Sequence, residues 1–264
     1  MARPVIALLT DFGQSDHYVA AMKGVILSIC PDATLLDITH DIPPQDIVSG
    51  ALELAAVAPY LPEGTIVVGV VDPGVGSTRR GIALETRSGL RCVGPDNGLF
   101  ALVTGPDGPL SVVSIENPAY MRGSVSRTFE GRDRFAPAAA WLATGVALPE
   151  LGPAVAELVR LDLPEPTETP DGIEGHVVRV DRFGNLITNI RAASLQPMSD
   201  AVVYMGDVRI GRVTETYAES APGSLCALFG SSGRLEVAVN GGHAASLLRA
   251  SRGARVVVRR LGRA

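Results

Sequence analysis

Residues 4–13 read PVIALLTDFG. The uncharged run from Val5 to Thr10 predicts a strand buried on both faces. Asp11 and Gly13 after it predict a polar turn at its carboxyl end. Working outward, residues 18–30 (YVAAMKGVILSIC) have helical spacing, and 33–39 (ATLLDIT) read as a second strand. Residues 47–60 (IVSGALELAAVAPY) predict a helix with Asp46 as its N-cap. A third strand falls at 65–72 (TIVVGVVD), a hairpin-like pair at 82–86 (IALET) and 91–96 (RCVGPD), and a helix at 134–145 (RFAPAAAWLATG) that stops at Gly145. Strands separated by helical segments imply an α/β domain with a mainly parallel sheet covered on both faces.

The texture changes after residue 160. Residues 161–171 (LDLPEPTETPD) are rich in Pro, Glu and Thr and have no apolar period, as expected of a proline-stiffened linker. Beyond it, 172–181, 186–190, 201–213, 224–230, 234–240 and 254–261 are short alternating runs with turns between them. They predict an all-β module, a small barrel. The expected layout is an N-terminal α/β domain over 1–160, a linker over 161–172 and a C-terminal β domain over 173–264.

The 264 residues are 46% hydrophobic with a formal net charge of -5, which suits a globular chain and disfavours polyanion binding. No nucleic-acid partner is expected. No apolar run approaches the roughly 20 residues that span a bilayer, and the N-terminus reads as a strand and not as a signal peptide, so a cytoplasmic protein without membrane contact is expected. Cys30, Cys92 and Cys226 stand far apart, without the spacing of a zinc site or a disulfide framework. No metal is expected, because His17, His40, His176 and His243 are scattered. His17 and His40 read as polar-rim residues.

In open α/β sheets ligands bind beyond the carboxyl ends of strands. Three polar clusters fall there: 10–13 (TDFG), 72–76 (DPGVG) and 94–98 (GPDNG). Each has a plain reading as a turn in which Asp satisfies backbone donors. The 74–77 stretch (GVGS) lacks the Gly-Lys-Ser/Thr end of a phosphate loop, and Asp72 beside it would repel phosphate. A fourth cluster, 128–133 (TFEGRD), sits where acidic residues also simply favour a helix start. In the β module, 181–185 (DRFGN) with Thr188 and Asn189 reads as a polar turn or as a ligand loop.

Taken in order, LLTDFG, VVDPGVGSTRR, GPDNGLF, TFEGRDRFAPAAA and VDRFGNLITN resemble the SAM hydroxide adenosyltransferase family over nearly the whole chain. Its members hydrolyse S-adenosyl-L-methionine (SAM) to adenosine and L-methionine, and its superfamily includes a fluorinase and a chlorinase. The resemblance implies a homotrimer whose sites lie between the N-terminal domain of one subunit and the C-terminal domain of the next. It implies that Asp11 grips the ribose hydroxyls and that Phe129 walls the site. Asp181, Phe183 and Asn185 would hold the methionine end and one adenine face, Ser231 the methionine carboxylate, and Asn240 the adenine edge. SAM is the substrate, and no cofactor is implied.

Asp72 and Arg79 match two of the three residues that the family uses to position water. The third is usually a His in TFHGRD, and here that position is Glu130. A carboxylate stays ionised at neutral pH, where an imidazole titrates. Glu130 is therefore expected to replace His by holding Arg79 or the water, or else to pair with Arg132 or Arg134 at a helix start. Two alternatives stay open. A chlorinase-like halogenase agrees with Gly131 but not with the anion-repelling Asp72. A non-catalytic SAM- or adenosine-binding protein agrees with the Glu130 departure but not with the retained Asp72 and Arg79.

Overall fold

The computed structural model describes residues 3–195 and 201–260, so residues 261–264 of the basic tail lie outside the described residues. The chain divides into two compact units, Met1–Asp162 and Leu163–Ala264.

The first unit runs β1 (Val5–Thr10), α1 (Tyr18–Ile29), β2 (Thr34–Thr39), α2 (Ile47–Val57), β3 (Ile66–Val70), β4 (Gly81–Glu85), β5 (Arg91–Pro95), α3 (Ala101–Thr104), β6 (Ser111–Ser114) and α4 (Ala136–Ala143). The sheet order is β2-β1-β3-β5-β4-β6. The pairs β1–β2, β1–β3 and β3–β5 are parallel, while β4 lies antiparallel between β5 and β6. Alternation along β1 explains the two-sided burial. Ile6 and Leu8 pack with Met22, Ile26, Phe135 and Leu142, whereas Ala7 and Leu9 face Leu54, Leu99 and Phe100. As expected, Asp46 caps α2, its carboxylate accepting from the Ser49 N–H at 3.0 Å. Pro59 follows the α-helix and sits in a 3₁₀ turn, Ala58–Tyr60, because its ring cannot continue the helix. The last helix begins earlier than the sequence pattern suggests, with a π-helical turn over Gly131–Phe135, and Gly145 ends it at φ 102°.

The second unit contains β7 (Thr167–Thr169), β8 (Gly172–Val180), β9 (Leu186–Arg191), β10 (Ala201–Met205), β11 (Val208–Thr214), β12 (Leu225–Phe229), β13 (Arg234–Val239), α5 (Ala244–Leu248) and β14 (Arg255–Arg260). The order β14-β10-β11-β12-β13-β9-β8 is closed by pairing of β14 with β8, so these seven strands form a barrel. Thr167–Thr169, within the stretch read as linker, pair with β8. Their β-branched threonines outweigh the surrounding prolines once a partner strand is present. Thr188 and Asn189 lie on β9 and not in a turn; both are buried. Their polar groups are satisfied: Thr188 donates to the Leu235 carbonyl, and Asn189 accepts from the His176 N–H and donates to the Pro164 carbonyl.

Phe100 fills a space made by two glycines on neighbouring strands. A Cβ on Gly69 would stand 3.0 Å from the Phe100 ring, and one on Gly94 would stand 2.1 Å from the Gly69 carbonyl oxygen. Gly94→Ala is expected to cost about 3 kcal/mol, the upper end of overpacking penalties. Chemical denaturation measures it, and an unchanged midpoint would contradict this packing.

Candidate functional site

The carboxyl ends of β1 and β3 and the start of the π turn converge on one pocket of about 420 Å³, lined among others by Asp11, Tyr18, Gln45, Asp72, Phe129 and Glu130. Adjacent parallel strands put Asp11 and Asp72 side by side, because Thr10 is in register with Val70.

Arg79 lies behind this mouth and holds two carboxylates. Its Nε donates to Asp72 Oδ1 at 2.9 Å and its Nη2 to Asp72 Oδ2 and, at 2.7 Å, to Glu130 Oε2. The Asp72, Arg79 and Glu130 side chains are 5%, 11% and 9% exposed, so these are charge-assisted bonds shielded from water. Arg134 Nη1 lies 3.5 Å from Glu130 Oε2. Glu130 therefore joins both the Asp72–Arg79 pair and Arg134 at the helix start. Burial works against the Arg79 charge, but the bonds and charges of Asp72 and Glu130 outweigh it and hold the guanidinium above its ordinary value.

Asp11 accepts from the Gln45 backbone N–H at 2.7 Å. Burial pushes its carboxyl up and the Asp72 charge adds to this, against the hydrogen bonds from backbone donors. Gln45 has φ 66°, a left-handed conformation that a non-glycine residue adopts at a cost of about 1–3 kcal/mol. That strained backbone aims the N–H at Asp11.

From buried Thr10 a relay of hydrogen bonds runs out to the surface. Thr10 Oγ1 accepts from the Phe12 N–H at 3.3 Å and meets His40 Nδ1 at 2.8 Å. His40 Nε2 meets Asp37 Oδ1 at 3.0 Å, and Lys23 donates to Asp37 Oδ2 at 2.7 Å. His40 is only 1% exposed, so it is a core residue and not the rim residue that the sequence suggested. Its imidazole is buried because Thr10 and Asp37 satisfy both ring nitrogens.

Phe12, Tyr18 and Phe129 form an aromatic wall with centroids 5.1–5.9 Å apart. Gly131 leaves room for it, since a Cβ there would stand 3.2 Å from Met22 Sδ and 3.5 Å from the Phe129 ring. The π turn that follows Glu130 buries Asp133, which accepts from Arg132 Nε and Nη2, each at 2.7 Å, and from the Ser126 N–H at 2.9 Å. Burial pushes the Asp133 carboxyl up, but Arg132, the Ser126 N–H and Arg122 outweigh it and hold it below 3.8.

In the second unit Asp181, Phe183 and Asn185 form the β8–β9 turn. Asp181 Oδ1 accepts from the Phe183 and Asn185 N–H groups at 2.9 and 2.8 Å, and Oδ2 from Asn185 Nδ2 at 2.9 Å. Phe183 stands 74% exposed at the tip. Antiparallel pairing of Val237 with Leu186 brings the exit of β13, with Asn240, alongside this turn. Ser231 lies exposed in the turn before β13, at the opposite end of that strand. Six strand residues separate the two ends, roughly 20 Å at 3.4 Å per residue. Glu236, on β13, accepts from the Tyr217 hydroxyl at 3.0 Å; burial, then the Glu236 charge, pushes the Tyr217 phenol up to about 12.

Sequence reasoning did not find Tyr18, Gln45, Glu236 or the His40 relay. Only the apolar-to-polar change at residue 10 hinted at the relay. The four residues Asp11, Asp72, Phe129 and Glu130 share the pocket with Arg79 behind them, whereas Asp181, Phe183, Asn185, Ser231 and Asn240 belong to the other unit.

Family models described as the SAM hydroxide adenosyltransferase N-terminal domain and C-terminal domain match residues 6–152 and 175–257. The chain is 43% identical over 250 residues to an (R)-S-adenosyl-L-methionine hydrolase of Salinispora arenicola, covering 93% of this chain and 94% of that one. It is 42% identical over 260 residues to the protein of that name from Salinispora tropica, covering 97% of each. A crystal structure of an uncharacterized conserved protein from Thermotoga maritima superposes with a TM-score of 0.91 at 34% identity, covering 97% of this chain and 100% of that one.

The depressed Asp133 carboxyl has a signature in stability. Its contribution is fully present above the unfolded value near 3.8 and is lost as pH falls through the lower folded value. The stability gap between wild type and Asp133→Asn is expected to be widest near pH 6 and to narrow towards about pH 2.5. Urea denaturation across that range measures it; a gap independent of pH would refute the assignment.

Proposed function

The chain belongs to the SAM hydroxide adenosyltransferase family, and from that premise we propose that it hydrolyses SAM to adenosine and L-methionine, with Asp72, Arg79 and Glu130 acting on the attacking water. The observation that carries this is the single guanidinium bonded to both carboxylates at the pocket mouth.

Water oxygen attacks the 5′ carbon, the C5′–S bond breaks, and its electron pair passes to sulfur. The sulfonium becomes a neutral thioether, so the leaving group needs no acid. Water loses a proton as the C–O bond forms, and Asp72 is the base or hydrogen-bond acceptor held for it. Arg79 orients Asp72, and Glu130 holds Arg79 through the same Nη2. Placing the nucleophile in line accounts for a large part of the rate, on the order of 7–11 kcal/mol in favourable cases.

Asp11 takes the ribose diol, and Phe129 belongs to the wall beside it. Asp181, Phe183 and Asn185 hold the methionine end and an adenine face, Ser231 the methionine carboxylate, and Asn240 the adenine edge. An extended ligand suits residues spread over both ends of β13. Three carboxylates, Asp11, Asp72 and Glu130, line the pocket around one bridging arginine and favour a sulfonium over a halide. This weighs against a halogenase, and the intact Asp72–Arg79 pair weighs against a binding-only protein.

The same proposal includes a cytoplasmic homotrimer, with pocket residues and hairpin residues supplied by neighbouring subunits. Among the described residues no helix is long and apolar enough to cross a membrane.

Purified protein incubated with either sulfur epimer of SAM, with and without chloride, is expected to yield adenosine and methionine, the (R) epimer being consumed faster. Asp72→Ala is expected to abolish the products, and Glu130→Gln to lower kcat by about 10- to 100-fold. A chlorinated nucleoside as main product, or full activity in Glu130→Gln, would overturn the assignment. Because the trio holds no imidazole, kcat is expected to stay flat between about pH 6 and 8. Refolding inactive Asp72→Ala and Asp181→Ala chains together in equal amounts is expected to restore about one quarter of the wild-type rate if sites are shared between subunits. No recovery would refute the sharing.

A further inference from the structure

The 94–98 turn, GPDNG, has no place in the chemistry above, yet it holds both ends of the loop that carries the water-positioning pair. Asp72 and Arg79 stand near opposite ends of the segment between β3 and β4, a segment that includes Gly74 and Gly76. The residue before Asp72 and the residue after Arg79 are each bonded to the GPDNG turn. Asn97 Nδ2 donates to the Val71 carbonyl at 2.8 Å. Arg80 Nε and Nη2 donate to Asp96 Oδ2 at 2.9 and 2.6 Å, and the Asp96 N–H donates to the Arg80 carbonyl at 3.0 Å.

The turn is itself well anchored. Asp96 is 4% exposed, and its other oxygen accepts from the Val159 N–H at 2.9 Å. Asn97 Oδ1 accepts from the Leu99 N–H at 3.2 Å, and Gly98 turns the chain at φ 95° with no room for a Cβ beside Leu161.

We infer that Asp96 and Asn97 are positioning residues for hydrolysis: consecutive residues of one turn clamp the two ends of the 71–80 loop and thereby set the geometry of Asp72 and Arg79 towards the attacking water. This rests on the hydrolase reading. The clamp is needed because a carboxylate at the end of a glycine-containing loop can pair with its arginine in several places, while in-line attack tolerates little displacement. A shift of about 1 Å costs up to 100-fold in rate. The clamp touches none of the groups proposed to bind the nucleoside: Asp11 is held by Gln45, and Phe129 by the aromatic wall. Its loss therefore acts on the chemical step and spares binding.

The test compares Asn97→Ala, Asn97→Asp and Asp96→Asn with wild type and Asp72→Asn, reading kcat, KM for SAM, the Kd of adenosine by calorimetry, and thermal midpoint. Asn97→Asp keeps the size and the acceptor for the Leu99 N–H but loses the donor to Val71, so it carries the test if Asn97→Ala fails to fold. Loss of the clamp is expected to lower kcat by about 10- to 100-fold while KM and adenosine Kd stay within about twofold. If folded Asn97 variants keep kcat within twofold and only the midpoint falls, the clamp is structural and the inference is wrong. If kcat and adenosine affinity fall together, the site as a whole has been disturbed and the inference is equally wrong. Wild type without SAM turnover would instead overturn the hydrolase reading beneath it, and a fully active Asp72→Asn would remove the role of Asp72 and the inference with it.

Discussion

Arg79 carries opposite charge to two carboxylates at once, and much of the N-terminal unit is arranged so that it can. The Asp72 and Glu130 side chains are only 5% and 9% exposed, and two unpaired carboxylates so shielded would be costly, several kcal/mol each even after relaxation. The guanidinium between them makes the arrangement stable only if its three parts arrive together. These are the end of β3, the loop leading into β4, and the π turn before α4. Each part has its own reinforcement. Phe135, from the same π turn, lies 5.3 Å from the Arg79 guanidinium. Gly76 lets the loop approach the Arg127 carbonyl, where a Cβ would stand 2.4 Å from the oxygen.

Glu130, where the resemblance implies a histidine, is subject to the same constraint. A neutral imidazole in that position would leave Arg79 balanced by Asp72 alone. Glutamate adds a second negative partner and shares it with Arg134 at 3.5 Å. The charge at the pocket mouth therefore becomes more negative, which suits a cationic sulfonium substrate. The π turn contributes by widening the helix start, a feature often found at functional sites. It places Glu130 at the pocket and Asp133 in the protein interior only three residues later.

Several elements were legible because their causes are local. The run 5–10 is apolar on both faces and became an interior strand; Asp46 capped the helix that follows it; Gly145 ended α4. The alternating runs after residue 172 announced strands, and their closure into a barrel agreed with the texture. Local signals also misled. Pro-rich 161–171 concealed β7, because a short strand is stabilised by its partner and not by its own composition. Thr188 and Asn189 looked like turn residues, yet each finds backbone partners inside the barrel. His40 looked like a rim residue because nothing nearby in the chain completes its hydrogen bonds.

The sequence by itself determined the class of each unit, the strand-end placement of Asp11 and Asp72, and the family. Hydrophobic period, turn chemistry and motif order depend on neighbours along the chain. Only the tertiary structure decided which side chains meet. Arg79 reaches Glu130 across 51 residues, Thr10 reaches His40 across 30, and Asn97 reaches Val71 across 26. Such meetings depend on strand order and helix packing, which a local pattern does not encode. The physical reason is that a buried polar group is stable only with its partner in place, and the fold of the whole unit chooses that partner.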